Sequence, residues 1–263
     1  MCSMCLTTTV KFNIGCNQSI FDGFGHGQHV AGIIGGNGRH LGGAYIGVAP
    51  KVNLINVKVS DDNGAANASN VVAGLQWVND NRAVYNIKVV NLSLNSSVAE
   101  SYHTNPLNAA VEVLWFNKIT VVVSVGNIGK NALFPPANDP FVITVGATDD
   151  RGTLFTGDDT LASYSGYGKT NDGFNKPDLV APGTNIVSLH VPTSNKLDRE
   201  HPDHIVDGYY FRMSGTSMSA PVVSGAIALL LQSEPNLTPD QIKYRLMATA
   251  RPFADRTRAG AAT

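Results

Sequence analysis

The sequence predicts one α/β domain built on a mainly parallel sheet with helices on both faces. Three observations carry this. Apolar stretches of strand length alternate with stretches of helical period between Val52 and Ala147. Two of the strand stretches, 119–125 and 141–147, are largely β-branched and almost wholly apolar, as strands covered on both faces are. A nearly continuous apolar run, 222–231, reads as a helix buried all round.

Composition supports the class and removes others. The 263 residues suffice for a large single core. Hydrophobic residues make up 43% and charged residues only 15%, so the chain is globular, and its 26 glycines mark it as rich in loops. A net charge of −1 leaves no electrostatic case for nucleic acid or an anionic membrane surface. The run 222–231 is too short to span a bilayer. Cys2, Cys5 and Cys16 all lie near the start, so no disulfide framework holds the body. The CxxC spacing of Cys2 and Cys5 has no second CxxC and no histidine pair at zinc-finger spacing, and we read neither a metal nor a redox site there. Residues 1–9 lack the basic region and long apolar core of a secretory leader.

Taken in order, residues 1–20 form an irregular segment with a short strand at 10–14. A glycine-rich turn precedes a helix over 26–34, which Gly35 and Gly36 end. Strands follow at 52–59 and 87–94. Between them a helix over 70–81 aligns Val71, Leu75 and Val78 on one face. Pro106 opens a helix to Phe116. The strands 119–125 and 141–147 come next, then a polar loop over 163–176, a short strand at 186–189 and a polar surface insertion over 195–207. Pro221 suits the first turn of the apolar helix. Thr238-Pro239-Asp240-Gln241 is a capping box opening a helix to about Thr249. One domain over 21–250 and a tail over 251–263 result.

Three stretches carry chemistry. Ser217 stands where a glycine-marked turn enters the apolar helix. Free N–H groups and the helix dipole favour developing negative charge there, which suits a nucleophile; an N-cap serine fits the same place. His26, between Gly25 and Gly27, is placed to take a proton near neutral pH, or is a surface histidine in a turn. Its spacing from His29 also fits metal ligands, but there is no HExxH pattern or acidic partner. Asn127 ends the strand 119–125, on the side where parallel sheets bind ligands. Its amide could serve an oxyanion, or the Gly-Asn pair could simply end the strand.

Together these stretches resemble one family. Gly25-His26-Gly27-Gln28-His29-Val30-Ala31-Gly32, Val123-Ser124-Val125-Gly126-Asn127 and Gly215-Thr216-Ser217-Met218-Ser219-Ala220-Pro221 are similar, in order, to the histidine, asparagine and serine motifs of the subtilisin-like serine proteases, the subtilases or S8 peptidases. Asn91-Leu92-Ser93-Leu94-Asn95 resembles their cleft-lining segment, and Lys176-Pro177-Asp178-Leu179-Val180-Ala181-Pro182-Gly183 another family stretch. The resemblance implies a three-layer α/β/α fold and a serine endopeptidase. Ser217 would be the nucleophile, His26 the general base and Asn127 the oxyanion donor beside the Ser217 N–H. Ser93, Leu94 and Asn95, with Ser124, Val125 and Gly126, would flank the substrate. His29 would be structural. A GxSxG hydrolase fits less well, because Met218-Ser219 stands where its second glycine belongs.

The sequence departs from the family at one decisive point. The family's triad aspartate sits in an Asp-Thr-Gly or Asp-Ser-Gly motif upstream of the histidine, and the only acid upstream of His26 is Asp22. Asp22 resembles the acidic loop residue before the histidine motif and is not assigned the triad role. The resemblance therefore implies a sheet lacking an early strand, a chain cut short at both ends and an impaired catalyst, or a non-catalytic peptide-binding relative. Gln28 also replaces the family's usual threonine. The resemblance implies a polypeptide substrate, secretion and a monomer, with no cofactor in the chemistry. Structural calcium is common in the family, but the loop 37–47 has no acid; Asp158, Asp159 and Asp172 are the candidate ligands.

Overall fold

The computed structural model describes residues 10–13, 22–191 and 195–253. Cys2, Cys5 and Cys16 lie outside them. β1 (Val10–Asn13) lies where a short strand is predicted and pairs in parallel with β2 (Ile55–Lys58). Between them comes α1 (His26–Gly35). Two local features fix its start. Gly25 has φ 94°, a left-handed conformation that a Cβ would strain. Asp22 accepts the Gly25 N–H at 2.8 Å on one carboxylate oxygen and the Gln28 N–H at 2.7 Å on the other. A negative charge there complements the free N–H end of the helix.

The next elements follow the predicted alternation. α2 (Ala68–Asn81) buries Val71, Leu75 and Val78, its predicted apolar face. β3 (Val89–Leu92) precedes α3 (Pro106–Phe116), where the Asn105 side chain accepts the Leu107 N–H and Pro106 needs no partner. β4 (Thr120–Ser124) and β5 (Ile143–Asp149) are almost wholly buried. The chain then makes β6 (Thr160–Leu161), β7 (Gly168–Lys169), β8 (Asn175–Lys176), β9 (Leu179–Pro182) and β10 (Ile186–Leu189). The polar loop over 163–176 thus contains the small β7–β8 hairpin, and β9 is a core strand that no periodicity announces. After α4 (Lys196–Glu200) come β11 (Ile205–Val206), β12 (Tyr210–Met213), α5 (Thr216–Ser233) and α6 (Pro239–Thr249). The capping box opens α6 as predicted, with Thr238 and Gln241 serving each other's N–H groups.

β3, β4, β5 and β9 form the parallel core of the main sheet, with β6 antiparallel at the end of β5. α5 packs across β3, β4, β5 and β9, and α1 packs on α5. α3 and α6 meet β4, α2 packs on α3, and the Trp115 indole N–H bonds Asp240 to join α3 to α6. One apolar core runs through the layers, from Ile55 and Val57 through Val121 to Ala220 and Ile227. β2 shares that core, yet among the described residues it pairs only with β1, so the sheet is interrupted between β2 and β3. A cavity of about 500 Å³ opens where both strands begin, between Val52, Asn53, Lys88, Val89 and the α5 residues Ala228 and Leu231.

The serine helix differs from its prediction. It begins at Thr216 rather than near Pro221, which lies inside it. It is also not buried all round: Leu229 is 44% exposed, and the buried set ends at Ile227. At its full length α5 is apolar enough to cross a membrane, but 56% of that span is buried inside the protein, as in a core helix.

Candidate active site

His26 and Ser217 both stand at helix starts. His26 is the first residue of α1 and Ser217 the second of α5. A small cluster of Val30, Ile33 and Met218 welds the two helices together. Val30 is one turn after His26 and Met218 is next to Ser217, so both candidate side chains sit close to the same anchor. Both are half-buried.

The turn before Ser217 cannot carry side chains freely. Gly215 is the N-cap, with φ 156° and ψ 159°. A Cβ on neighbouring Gly183 would lie 2.3 Å from Ser219 Oγ and 2.9 Å from the Gly215 carbonyl oxygen. Ser217 is therefore not the cap of its helix. Pro221 also acts at a distance. It lacks the N–H that would bond the Ser217 carbonyl four residues back. Ser93 Oγ donates to that carbonyl instead, at 2.9 Å. Ser93 is held by the Asn91 amide at 3.0 Å, and Asn91 accepts from Ser224 Oγ at 3.0 Å. A buried polar chain thus runs from β3 to two points on α5. Ser217 Oγ itself lies 3.5 Å from the Ser93 carbonyl oxygen.

Asn127 is exposed at the end of β4 and is oriented by the residue beside the serine. Its Oδ1 accepts from the Thr216 N–H and the Thr216 hydroxyl, both at 2.9 Å. That leaves Nδ2 without a recorded partner among the described residues, close enough that a Cβ on Gly215 would lie 3.4 Å from it. The Thr216 hydroxyl in turn accepts the Gly126 N–H at 3.2 Å. Sequence reasoning did not single out Thr216. Its place inside the serine motif was the available signal.

The proposed cleft walls come together. The Asn95 amide donates to the Ser124 carbonyl at 2.9 Å, strapping 93–95 to 124–126. The Ser124 and Val125 side chains are buried, so along that wall the backbone and Gly126, at φ 103°, are what a substrate would meet. Leu94 is partly buried against the core.

The His29 ring is engaged by the backbone. Its Nε2 lies 2.8 Å from the Phe211 carbonyl and 3.2 Å from that of Ile186, and burial pushes the imidazole down to about 4. Among the described residues no group of three or more histidine, cysteine or acidic side chains is placed to hold a metal ion. Asp158 accepts from Thr153, Asp159 pairs with Arg251 and Asp172 accepts from Ser101 and Tyr102, so the three calcium candidates are engaged separately.

A serine and a histidine at the starts of packed helices, with a carboxamide beside the serine's turn, are side-chain types that a serine hydrolase uses. Comparison with known proteins makes the class specific. The sequence profile of the Subtilase family matches residues 14–262. The chain belongs to that family. It is 40% identical over 233 residues to serine protease AprX of Bacillus subtilis (strain 168), covering 86% of this chain and 52% of AprX. It is 38% identical over 232 residues to the extracellular serine proteinase of Thermus sp. (strain Rt41A), covering 87% of this chain and 46% of that protein. The chain thus spans about half the length of these two relatives. Among solved structures, a cold-adapted subtilisin-like serine proteinase matches with TM-score 0.69 and 31% identity over 90% of this chain and 73% of its own. Sphericase matches with TM-score 0.75 and 26% identity over 92% and 76%.

Proposed function

We propose that this chain is the catalytic portion of a serine endopeptidase that hydrolyses polypeptides through an acyl-enzyme on Ser217. The observation that carries the reading is the pinning of Asn127 Oδ1 by Thr216, which turns the Asn127 amide toward the nucleophile's turn. Ser217 Oγ adds to the scissile carbonyl while His26 accepts the hydroxyl proton. The oxyanion is met by Asn127 Nδ2 and the Ser217 N–H at the α5 terminus. The C–N bond breaks as His26 returns the proton to the leaving amine. Water, deprotonated by His26, then attacks the acyl carbonyl and releases Ser217. Ser93, Leu94, Asn95, Ser124, Val125 and Gly126 flank the bound peptide.

This chemistry calls for no cofactor, and the acids that suggested calcium do not converge. The active unit is a single chain. Secretion is taken from the relative whose name places it outside the cell. Turnover is expected to be impaired. Asp22, four residues before His26, accepts backbone N–H groups at the start of α1 on both carboxylate oxygens, a capping role. The same observation favours a second reading, a peptide-binding relative without turnover.

A fluorophosphonate probe separates the two. Labelling mapped to Ser217 and abolished by Ser217→Ala or His26→Ala supports the endopeptidase; adducts elsewhere, or none, favour the binding protein. A version extended by a strand ending in Asp-Thr-Gly should cleave casein faster than the 263-residue chain, and an equal rate would count against the impairment.

A further inference from the structure

We propose that His190 and the stretch 195–208 form a clamp on the turn that carries His26, locked by His190 donating from both ring nitrogens. This rests on the reading of His26 as the base for Ser217, and it makes His190 and Asp198 positioning residues.

By composition 195–207 is a polar surface insertion, and much of it is exposed, yet Asn195 and Asp198 turn inward. The His190 and Asp198 side chains are only 7% and 12% exposed. His190 Nε2 lies 2.6 Å from Asp198 Oδ1, and Nδ1 lies 3.0 Å from the Gly208 carbonyl. Both partners are acceptors, so both bonds exist together only in the doubly protonated ring. Asn195 closes the base of the clamp. Its Oδ1 accepts the Asp198 N–H at 3.0 Å and its amide donates to the Val191 carbonyl at 3.2 Å.

The clamp meets the His26 turn from two sides. On one side, a Cβ on Gly25 would lie 3.2 Å from Asn195 Nδ2 and 3.6 Å from Leu197 Cδ1. Lys196 Nζ sits 5.9 Å above the Phe24 ring, and that ring lies 6.4 Å from His26. On the other side, Phe211 stacks on His190 at 5.8 Å, and its carbonyl is held by His29, three residues after His26. Gly25, His29, His190 and Asp198 all border one small cavity between these layers. β11 pairs with β12, which meets His29 through the Phe211 carbonyl and runs on toward Ser217, so one hairpin links the two helices.

Other ionisable groups around the ring are placed differently. His204 reaches the Phe211 ring, stacks on His201 and lies 3.9 Å from Asp203; Lys196 pairs with Glu200; Arg212 is exposed; His29 is held neutral by burial. Asp198 is the carboxylate that His190 meets directly. When His190 loses a proton, the part-buried bond to Asp198 loses its donor or its charge assistance, and the exposed Gly208 carbonyl is free to turn to water. The stretch 195–208 then loosens, and the turn at Gly25 loses its outer wall.

The test is amide hydrogen exchange of residues 24–30 from pH 5 to 8.5, corrected for intrinsic rates, with 120–124 as the fold reference. Ser217 labelling by a fluorophosphonate is followed in parallel. Protection at 24–30 should fall about tenfold from the acid to the alkaline end of that range. D198N should show the lower protection at every pH, and D198E should restore the pH dependence. Protection at 24–30 that ignores both pH and D198N overturns the clamp. If D198N also loses protection at 120–124, the pH series on the unsubstituted chain decides alone. Absent labelling with the expected exchange pattern leaves the clamp standing and removes the peptidase reading; labelling without that pattern does the reverse.

Discussion

Acid should destabilise the fold through His29, and the size of the effect follows from its surroundings. The ring is 1% exposed, one nitrogen is held by two carbonyls, and burial holds it at about 4 against 6.5 for an exposed imidazole. The folded value lies below the unfolded one. The unfolded chain therefore takes up a proton first as the pH falls, and stability is complete above 6.5 and lost on the way to 4. A gap of this size amounts to about 3 kcal/mol in full, and about 2 kcal/mol of it is lost between pH 7 and pH 5. His29→Gln keeps an N–H for the Phe211 carbonyl but has no proton to gain. In a Ser217→Ala background, which prevents self-digestion, urea unfolding of the chains with and without His29→Gln is compared at pH 7, 6 and 5. The stability difference between the two should shrink by about 2 kcal/mol toward pH 5. A difference that stays constant within about 0.5 kcal/mol would refute the reasoning, since distant groups titrate equally in both chains.

Three further outcomes are expected. Asn127→Leu should slow fluorophosphonate labelling of Ser217 more than Thr216→Val, which leaves the amide present but unpinned; equal rates in both variants and the parent would remove Asn127 from the oxyanion site. Lys243, which donates to the Pro140, Phe141 and Val142 carbonyls and pairs with Asp178, is lowered by burial to about 8, so stability relative to Lys243→Met should rise by about 2.5 kcal/mol from pH 7 to pH 10 in urea titrations. Gly183→Ala should cost several kcal/mol, on the order of 2–4, and abolish Ser217 labelling, because its methyl would strike Ser219 and the Gly215 carbonyl; wild-type melting and labelling would show that the turn adapts.

Where one local signal decided an element, the sequence was sufficient. Pro106 places the start of α3, the capping box places α6, and the β-branched run places β4. The candidate site residues His26, Asn127 and Ser217 could be singled out because they stand at element ends that glycines mark. Elements made by distant partners were not legible. β9 is short and contains Pro182, and only its pairing with β5 makes it a core strand. β12 lacks alternation and is defined by β10 and β11. α5 reaches back past Pro221 because Ser93, far away in sequence, replaces the missing donor. The insertion over 195–207 reads as solvent-facing and much of it is, but composition does not reveal that its Asp198 meets His190 beneath the surface.

The polar chain from Asn91 has a consequence for how finely the nucleophile is placed. Apolar side chains alone let a helix slide or turn on a sheet at modest cost, since one methyl contact replaces another. Here the fastening points on α5 are the Ser217 carbonyl and the Ser224 hydroxyl. They lie two turns apart, about 10 Å along the axis and on nearly the same face. A shift of one residue would move the helix by about 1.5 Å and rotate it by about 100°. Asn91 and Ser93 would then both lose their partners inside the core. Two bonds at that spacing work like a key with two teeth, setting depth and angle together. The sheet, more than the loop before it, decides where the serine hydroxyl points.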